Sequence, residues 1–455
     1  MKPVNKKDRK SFGRHSTITH TLASSAISLI CAAAPTVAAE SADPQSPWKF
    51  SGELVLGGFV SDQDFSPAGR SSVKWSEGYL KLGLTGDFAL GANTDLYGGA
   101  SLLYSYTGGD GDAGGFSTGN ESEVDFEDAF VGFRFNNAFG GAGSVDFSLG
   151  SQNFAIGDGF LINGDALNPG TGISEEFNRG GAYWLAARKA FRETAILKLD
   201  FGNDLRGDVF YLGSDTALQG DTKLAGVNLE KDFGELGTIG GSYVRVVDVN
   251  TSILGGFLAN RDDLEAISLR ASGSLGVENL FLSGEFVSQS RDGGGGRQEV
   301  DAYAGYLEAS YQFADMPWAP QLGYRYSVFS GDDASTAASE AYDPLFYGFS
   351  RGYGTWFQGE VAGNYSGPFN TNSKVSTLQL AVHPTETLRV GALFFDFTPE
   401  QPGGLEAQEF NLFFELPVRE NLFVSGLYGR HMPKSGFSAG VDDSDYFSIF
   451  AVLNF

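Results

Sequence analysis

Basic residues stand at alternate positions between apolar residues in several parts of the chain. Arg325 lies between two tyrosines, and Arg389 lies between a leucine and a valine. Because side chains two residues apart share one face of a β-strand, each base is expected opposite an apolar face. A face that carries bases can attract anions, and it can also form ion pairs that brace a wide barrel. The candidate contacts for an anionic solute are Arg325, Arg389, Arg270, Arg134 and Lys81.

The same alternation assigns acidic residues to the face that carries these bases. The acids are Glu53, Asp87, Asp146, Asp200, Asp208, Glu285 and Glu308, and Lys198 and Arg206 are two further bases. The face is therefore mixed in sign. Two roles stay open for each base, which are bracing of the wall and contact with a solute.

Residues suited to catalysis are few. Outside the first 39 residues the chain has two histidines and no cysteine. We place His383 at a short turn and His431 at the start of a loop, so neither is expected to share a strand face with a serine and an acid. We predict no enzyme, no metal cluster and no cofactor. Calcium in the acidic stretches 108–115 and 331–333 is an alternative to solvated turns, which we favour.

The elements that must position these residues follow a period of two. Leu80, Leu82 and Leu84 alternate with Lys81, Gly83 and Thr85, and the same rhythm recurs to the end of the chain. The 63 glycines and 39 phenylalanines suit strands that alternate small inward residues with aromatic residues facing lipid. The pattern predicts an all-β protein, and a sandwich or a propeller is the alternative.

The connections between these strands decide the architecture. Short ones, such as 91–94 and 384–387, alternate with long polar ones, such as 108–122, 155–193, 330–373 and 432–444. This asymmetry is typical of a transmembrane antiparallel β-barrel with short periplasmic turns and long extracellular loops. Counting predicts about 18 strands, although 155–193 and 356–365 can each contain extra strand pieces. A barrel of that size is wide enough for an aqueous channel, which the long connections 155–193 and 330–373 narrow if they fold inward.

The two ends of the chain indicate its destination. A basic start, an apolar stretch from Leu22 to Ala34 and small residues at Val37 and Ala39 predict a signal peptide over 1–39, with cleavage after Ala38 as an alternative. Residues 40–455 then form the barrel. The last strand alternates apolar residues up to Phe455, which resembles the recognition signal of barrels inserted into the outer membrane. We therefore predict the cell outer membrane, with its lipid and lipopolysaccharide as partners. A net charge of −25 argues against nucleic acid.

Several segments resemble the alginate export outer-membrane protein family. They are YRYSVFSGDD and YDPLFYG within 324–348, GTWFQGEVAGNY at 354–365, LQLAVHPTETLRVGALFFDF at 378–397 and LGSQNFAIGDGFLINGD at 149–165. The resemblance covers about the last third of the chain and one earlier patch. It implies an 18-stranded barrel that exports a polyuronate through a lumen carrying arginines, with Arg325 and Arg389 in the matching strands.

The leading hypothesis is therefore export or passive diffusion of an alginate-like anionic polysaccharide, with periplasmic export machinery as a further partner. The main alternative is a general or small-solute porin for sugars, aromatic acids or organic acids. A structural or adhesion barrel, whose loops do the work, is a third.

Overall fold

A computed structural model describes residues 46–65, 71–252, 258–294, 297–348, 358–365, 370–434 and 442–455. The signal peptide predicted for residues 1–39 lies outside these ranges. The division of the chain at residue 40 therefore stays a prediction.

The described part of the chain contains eighteen strands. They are β1 (Trp48–Ser61), β2 (Val73–Ala89), β3 (Thr94–Gly109), β4 (Asn120–Asn136), β5 (Ser144–Gln152), β6 (Phe191–Asp200), β7 (Leu205–Gly213), β8 (Lys223–Asp232), β9 (Thr238–Asp248), β10 (Glu265–Gly273), β11 (Leu280–Arg291), β12 (Val300–Gln312), β13 (Gln321–Phe329), β14 (Ser373–Val382), β15 (Arg389–Thr398), β16 (Ala407–Arg419), β17 (Leu422–Pro433) and β18 (Ser444–Asn454). One helical turn, α1, spans Ala362–Tyr365.

The strands form one closed ring. Each strand pairs antiparallel with the next along the chain, and β18 returns to pair with β1, with Leu54 opposite Leu453. Closure leaves no strand edge with unpaired N–H and C=O groups, which hydrocarbon could not solvate. The prediction of an antiparallel barrel with 18 strands is confirmed.

The two faces of the wall differ as the alternation predicts. Ile267, Leu269 and Leu307 point outward and are 62%, 63% and 75% exposed, whereas Ser268 between the first two points inward and is buried. An exposed apolar face around a closed barrel is the surface that contacts lipid. Within the described residues, no helix has the length and apolar character needed to span a bilayer.

The connections alternate in length as predicted. Short turns such as 90–93 and 420–421 lie at one end, and long loops such as 153–190 and 330–372 lie at the other. The described residues of these two loops add no strand to the wall. Residues 153–190 contain one isolated antiparallel bridge, between Ala155 and Asn163, and a 3-10 turn. Residues 362–365 form α1, and Trp356 lies outside the described residues.

Candidate functional site in the barrel lumen

Residues 153–190, here called the inward segment, fold into the barrel between β5 and β6. On the β3 side, Ser105 Oγ donates to the carbonyl of Gly180 at 3.0 Å, and the Ala182 N–H donates to Thr107 Oγ1 at 2.8 Å. The Leu185 N–H donates to the Glu77 carboxylate on β2 at 3.0 Å. Backbone groups of the segment are thus bonded to inward-facing side chains of the wall.

The inward segment also reaches the opposite wall. The ring of Phe160 lies 5.3 Å from that of Tyr306 on β12 and 5.7 Å from that of Phe329 on β13. Tyr306 donates a short hydrogen bond to Asp158 of the segment. Since β3 and β12 are nine strands apart in a ring of 18, the segment crosses the lumen from side to side.

Aromatic rings hold the inward segment against a third part of the wall. Trp184 stacks on Tyr446 of β18 with the ring centroids 5.3 Å apart, and it lies 5.5 Å from Trp75 of β2. Phe59 of β1 stacks on Trp75 at 5.1 Å. Phe59, Trp75 and Tyr446 are buried and Trp184 is partly buried, so these rings fill the lumen beside the β18–β1 pairing that closes the barrel.

A cluster of buried charges ties the inward segment to β4 and to the β7–β8 loop. Arg179 pairs with Asp165 at 3.1 Å and with Asp215 at 2.9 Å, and Arg188 pairs with Glu127 and Asp215, each at 3.4 Å. Burial opposes ionisation of Asp215, but Arg179 and Arg188 outweigh it and hold the pKa of that loop carboxyl below its ordinary value. Asp215 is therefore ionised near neutral pH.

Glu127 has a second role in holding the inward segment. Its carboxylate accepts hydrogen bonds from the N–H groups of Lys189 and Ala190, at 2.7 and 2.8 Å. Hydrogen bonds to a charged group are stronger than those between neutral groups. Glu127 thus fixes the end of the segment just before β6 begins.

The β13–β14 loop also enters the lumen. The Glu409 carboxylate on β16 accepts hydrogen bonds from the N–H groups of Glu360, Val361 and Ala362, at 2.7 to 3.3 Å. The Gln358 side chain lies 3.4 Å from the Arg325 guanidinium. This loop covers Arg325, whose side chain is fully buried.

The structure pairs each of the five predicted solute contacts with an acid. Lys81 lies 2.6 Å from Asp128, Arg134 2.9 Å from Asp146, Arg270 2.6 Å from Glu230, Arg325 3.9 Å from Glu308, and Arg389 2.8 Å from Glu415. They lie on five different strands and form no single cluster. Lys81, Arg134 and Arg389 remain partly exposed to the lumen. Their contact with a solute stays a prediction.

Sequence reasoning missed the residues that hold the inward segment. Arg179, Arg188 and Asp165 lie in a connection that the sequence predicts to be a long outer loop able to fold inward, but no residue of it was singled out. One signal was available, because residues 154–162 read FAIGDGFLI and are too apolar for a loop in water. Phe154, Phe160 and Ile162 are all buried in the structure.

The prediction for His431 is wrong. It lies within β17, directly opposite Glu409 on β16 and Ser444 on β18, so a serine and an acid do stand beside it on the lumen face. The sequence placed the strand end too early because Met432 and Pro433 read as a loop. A catalytic triad requires an acid that orients the histidine. Here the Glu409 carboxylate instead accepts the N–H groups of residues 360–362.

The acidic stretch 108–115 closes a turn. The Asp112 carboxylate accepts hydrogen bonds from the N–H and hydroxyl of Ser117 and from the N–H of Phe116. The residue is buried, unlike the solvated turn that the sequence predicts. Among the described residues there is no group of three or more His, Cys, Asp or Glu placed to hold a metal ion.

A cavity of ≈ 690 Å³ lies between the tip of the inward segment and the walls of β5 to β12. Carboxylates and cations both line it. The acids are Asp146, Asp158, Asp200, Asp208 and Glu230, and the bases are Lys198, Arg206 and Arg270. The cavity is large enough for a small organic molecule. It is the polar space that remains beneath the inward segment.

Comparison with known proteins identifies relatives in fold only. No family model and no curated protein matches this chain. The crystal structure of Pseudomonas aeruginosa OccK5 (OpdH) matches with a TM-score of 0.57 at 11% identity, over 89% of this chain and 98% of that one. The outer membrane protein OpdK of the same organism matches with a TM-score of 0.57 at 13% identity, over 90% and 99%. The structure of OpdK with vanillate gives 0.56 at 12% identity, over 89% and 98%.

These matches correct one prediction and confirm another. The resemblance to the alginate export family is wrong, because the similar structures are OccK and OpdK barrels. Aromatic strand ends and acidic loops, which carried that resemblance, serve any barrel that meets lipid and water. The predicted location is confirmed, because the chain forms a closed 18-stranded barrel and shares the fold of OpdK, which is an outer membrane protein.

Proposed function

We propose that this barrel is a channel through which small, water-soluble solutes diffuse across the outer membrane. The observation that carries the proposal is the inward segment, bonded to Ser105 and Thr107 on β3 and packed against Tyr306 on the opposite wall. A lumen crossed in this way leaves room for small molecules and excludes a folded or bulky polymer. A polar cavity beneath the segment receives the solute.

The similar structures support a small solute. OpdK has been solved with vanillate, and this chain shares its fold over nearly its whole length. This favours the small-solute porin, which the sequence offered as an alternative, over export of an alginate-like polysaccharide with periplasmic machinery. Solute would move down its own concentration gradient, and the protein would perform no chemistry on it.

The partly exposed bases are the proposed wall contacts for the solute. Lys81, Arg134 and Arg389 each keep about a quarter to a third of the side chain open while paired with an acid. The open part of each base can therefore contact a passing charged group while the base stays paired with its acid. Arg325 can join them only when the loop over it moves.

Single-channel recording in a planar bilayer tests the proposal. The purified barrel should insert with discrete current steps, and millimolar vanillate or glucose should reduce the current by occupying the lumen. Heat-modifiable migration on a gel confirms that the sample is folded. A folded barrel that gives no current steps would overturn the channel and favour a structural or adhesion role for the long loops.

A further inference from the structure

The cavity beneath the inward segment contains a buried arginine with an unused donor. The Arg270 side chain is 9% exposed, and its Nη2 is bonded to Glu230 at 2.6 Å and to the side-chain oxygen of Asn228. Among the described residues, its Nη1 has no hydrogen-bond partner. Because an unpaired buried donor is costly, this atom favours an acceptor that enters the cavity.

Two glycines fix the position of this guanidinium. A Cβ on Gly157, at the tip of the inward segment, would lie 2.7 Å from Arg270 Cδ, and one on Gly240 of β9 would lie 2.8 Å from Arg270 Cζ. Gly157 also has φ +56, which side-chain-bearing residues rarely adopt. Arg270 is thus held between segment and wall, with its orientation set before a solute arrives.

A carboxylate without a cation stands close by in the same cavity. Asn228, which accepts from Arg270, donates through its Nδ2 to Asp208 at 2.8 Å. Within the described part of the chain Asp208 forms no ion pair, and Lys198, its neighbour in the strand register, is solvent-exposed. One amide therefore separates an unused cationic donor from an unpaired carboxylate.

We infer that this cavity binds a small zwitterionic solute, with its carboxylate on Arg270 Nη1 and its ammonium group on Asp208. Five carboxylates against three cations in the lining oppose a purely anionic solute, whereas a zwitterion satisfies both sites at once. Phe154, Phe281 and Tyr306 line the same cavity and accommodate an apolar side chain. The inference rests on the proposed channel and names its solute class.

Three probes built on the same phenylethyl group test this assignment on the full-length barrel. Phenylalanine carries both charges, 3-phenylpropionate only the carboxylate and 2-phenylethylamine only the ammonium group. Blockade of single-channel current gives an apparent Kd for each. Phenylalanine should bind about tenfold more tightly than either partner, since it gains one more charge-assisted hydrogen bond. Equal binding of the three, or tightest binding of phenylpropionate, would overturn the inference.

Two substitutions separate the two ends of the subsite. Arg270→Gln should weaken the binding of phenylalanine and of phenylpropionate about tenfold and leave the binding of phenylethylamine unchanged. Asp208→Asn should weaken the binding of phenylalanine and of phenylethylamine and leave the binding of phenylpropionate unchanged. The matched control is Arg245→Gln, which removes a half-exposed arginine next to the inward-facing Val244 on β9, on the outer face of the wall. If both lumen variants behave like this control, the subsite does not exist.

The outcomes distinguish this inference from the proposed channel. Absence of current steps from a folded barrel removes the channel and the subsite together. Current steps without preference among the probes remove only the subsite. Should Arg270→Gln fail to fold, as judged by heat-modifiable migration, Arg270→Lys retains the charge but loses the fork geometry. Arg270→Lys should then weaken the binding of phenylalanine but not that of phenylethylamine. Equal weakening of the binding of both probes would contradict the assignment.

Discussion

At the scale of the residue, cations on the lumen face are satisfied first by the wall. Arg325 shows this most clearly, because its side chain is fully buried beside Glu308 and is covered by Gln358. Replacement by glutamine leaves the Glu308 carboxylate without its cation. The change should lower the free energy of unfolding by ~3 kcal/mol. The temperature at which the barrel loses its compact gel mobility measures this.

The control for Arg325 is a surface arginine of the same barrel. Arg245 pairs with Asp263 at 3.3 Å and is half exposed. Its partner Asp263 lies in the loop between β9 and β10, where water screens the pair, so replacement of Arg245 by glutamine should cost no more than ~1 kcal/mol. Equal effects of the two substitutions would show that Arg325 does not brace the wall.

Arg389 offers the opposite case, a base that is braced and still open to the lumen. It pairs with Glu415 at 2.8 Å and keeps 26% of its side chain exposed. Arg389→Glu places two carboxylates side by side on this wall, so the reversal potential in a salt gradient should shift toward that of a cation-selective channel. A reversal potential that does not change would leave Arg389 with bracing alone.

At the scale of the element, the inward segment depends on Glu127. Two backbone N–H groups and Arg188 converge on its carboxylate. Glu127→Gln keeps the shape but removes the charge, and hydrogen bonds to charged groups contribute about 1.5–3 kcal/mol each. The segment should loosen, and the mean single-channel conductance should rise with larger current fluctuations.

Glu235→Gln supplies the control for this change, because Glu235 is exposed at a short turn far from the segment in the fold. The conductance of the Glu235→Gln variant should equal that of the unaltered protein. If Glu127→Gln also conducts as the unaltered protein does, then Glu127 does not hold the segment in place.

The second lumen loop should respond to pH through Glu360. Burial, with a contribution from the Glu409 charge, raises the pKa of Glu360 from its ordinary value of 4.5 to about 8. The folded loop holds this carboxyl neutral. The β13–β14 loop is therefore bound in the lumen most stably below pH 4.5, and its binding there weakens as the pH rises toward 8. Conductance should therefore increase over that interval.

Glu360→Gln removes the titrating group and keeps its shape. The variant should lack the rise in conductance between pH 4.5 and 8 that the unaltered channel shows. An identical pH profile in the two proteins would assign the response to another group.

At the scale of the whole molecule, the barrel is predictable from sequence because its signal is local. Leu80, Lys81 and Leu82 already show which side chain faces lipid, and that rule repeats in strand after strand. The alternation of short and long connections then gives the strand count. The five candidate bases all face the lumen for the same local reason.

The course of the long loops is not local, and sequence reasoning left open whether they stay outside or fold inward and narrow the channel. The bond between Leu185 and Glu77 joins residues 108 apart, and that between Gln219 and Leu345 joins residues 126 apart. Glycine-rich polar stretches suit both an outer loop and a lumen loop. Only these distant contacts show that the loops lie in the lumen. They therefore also decide whether the passage is wide enough for a polysaccharide.

If the inward segment restricts a water-filled barrel to small solutes, the rate of permeation should fall steeply with solute size. Swelling of proteoliposomes in neutral sugars of increasing size measures this most directly. This size limit predicts rapid swelling in a monosaccharide, slow swelling in a disaccharide and none above the empty-liposome rate in a tetrasaccharide. Equal rates across the series, or no swelling even in the monosaccharide, would contradict it.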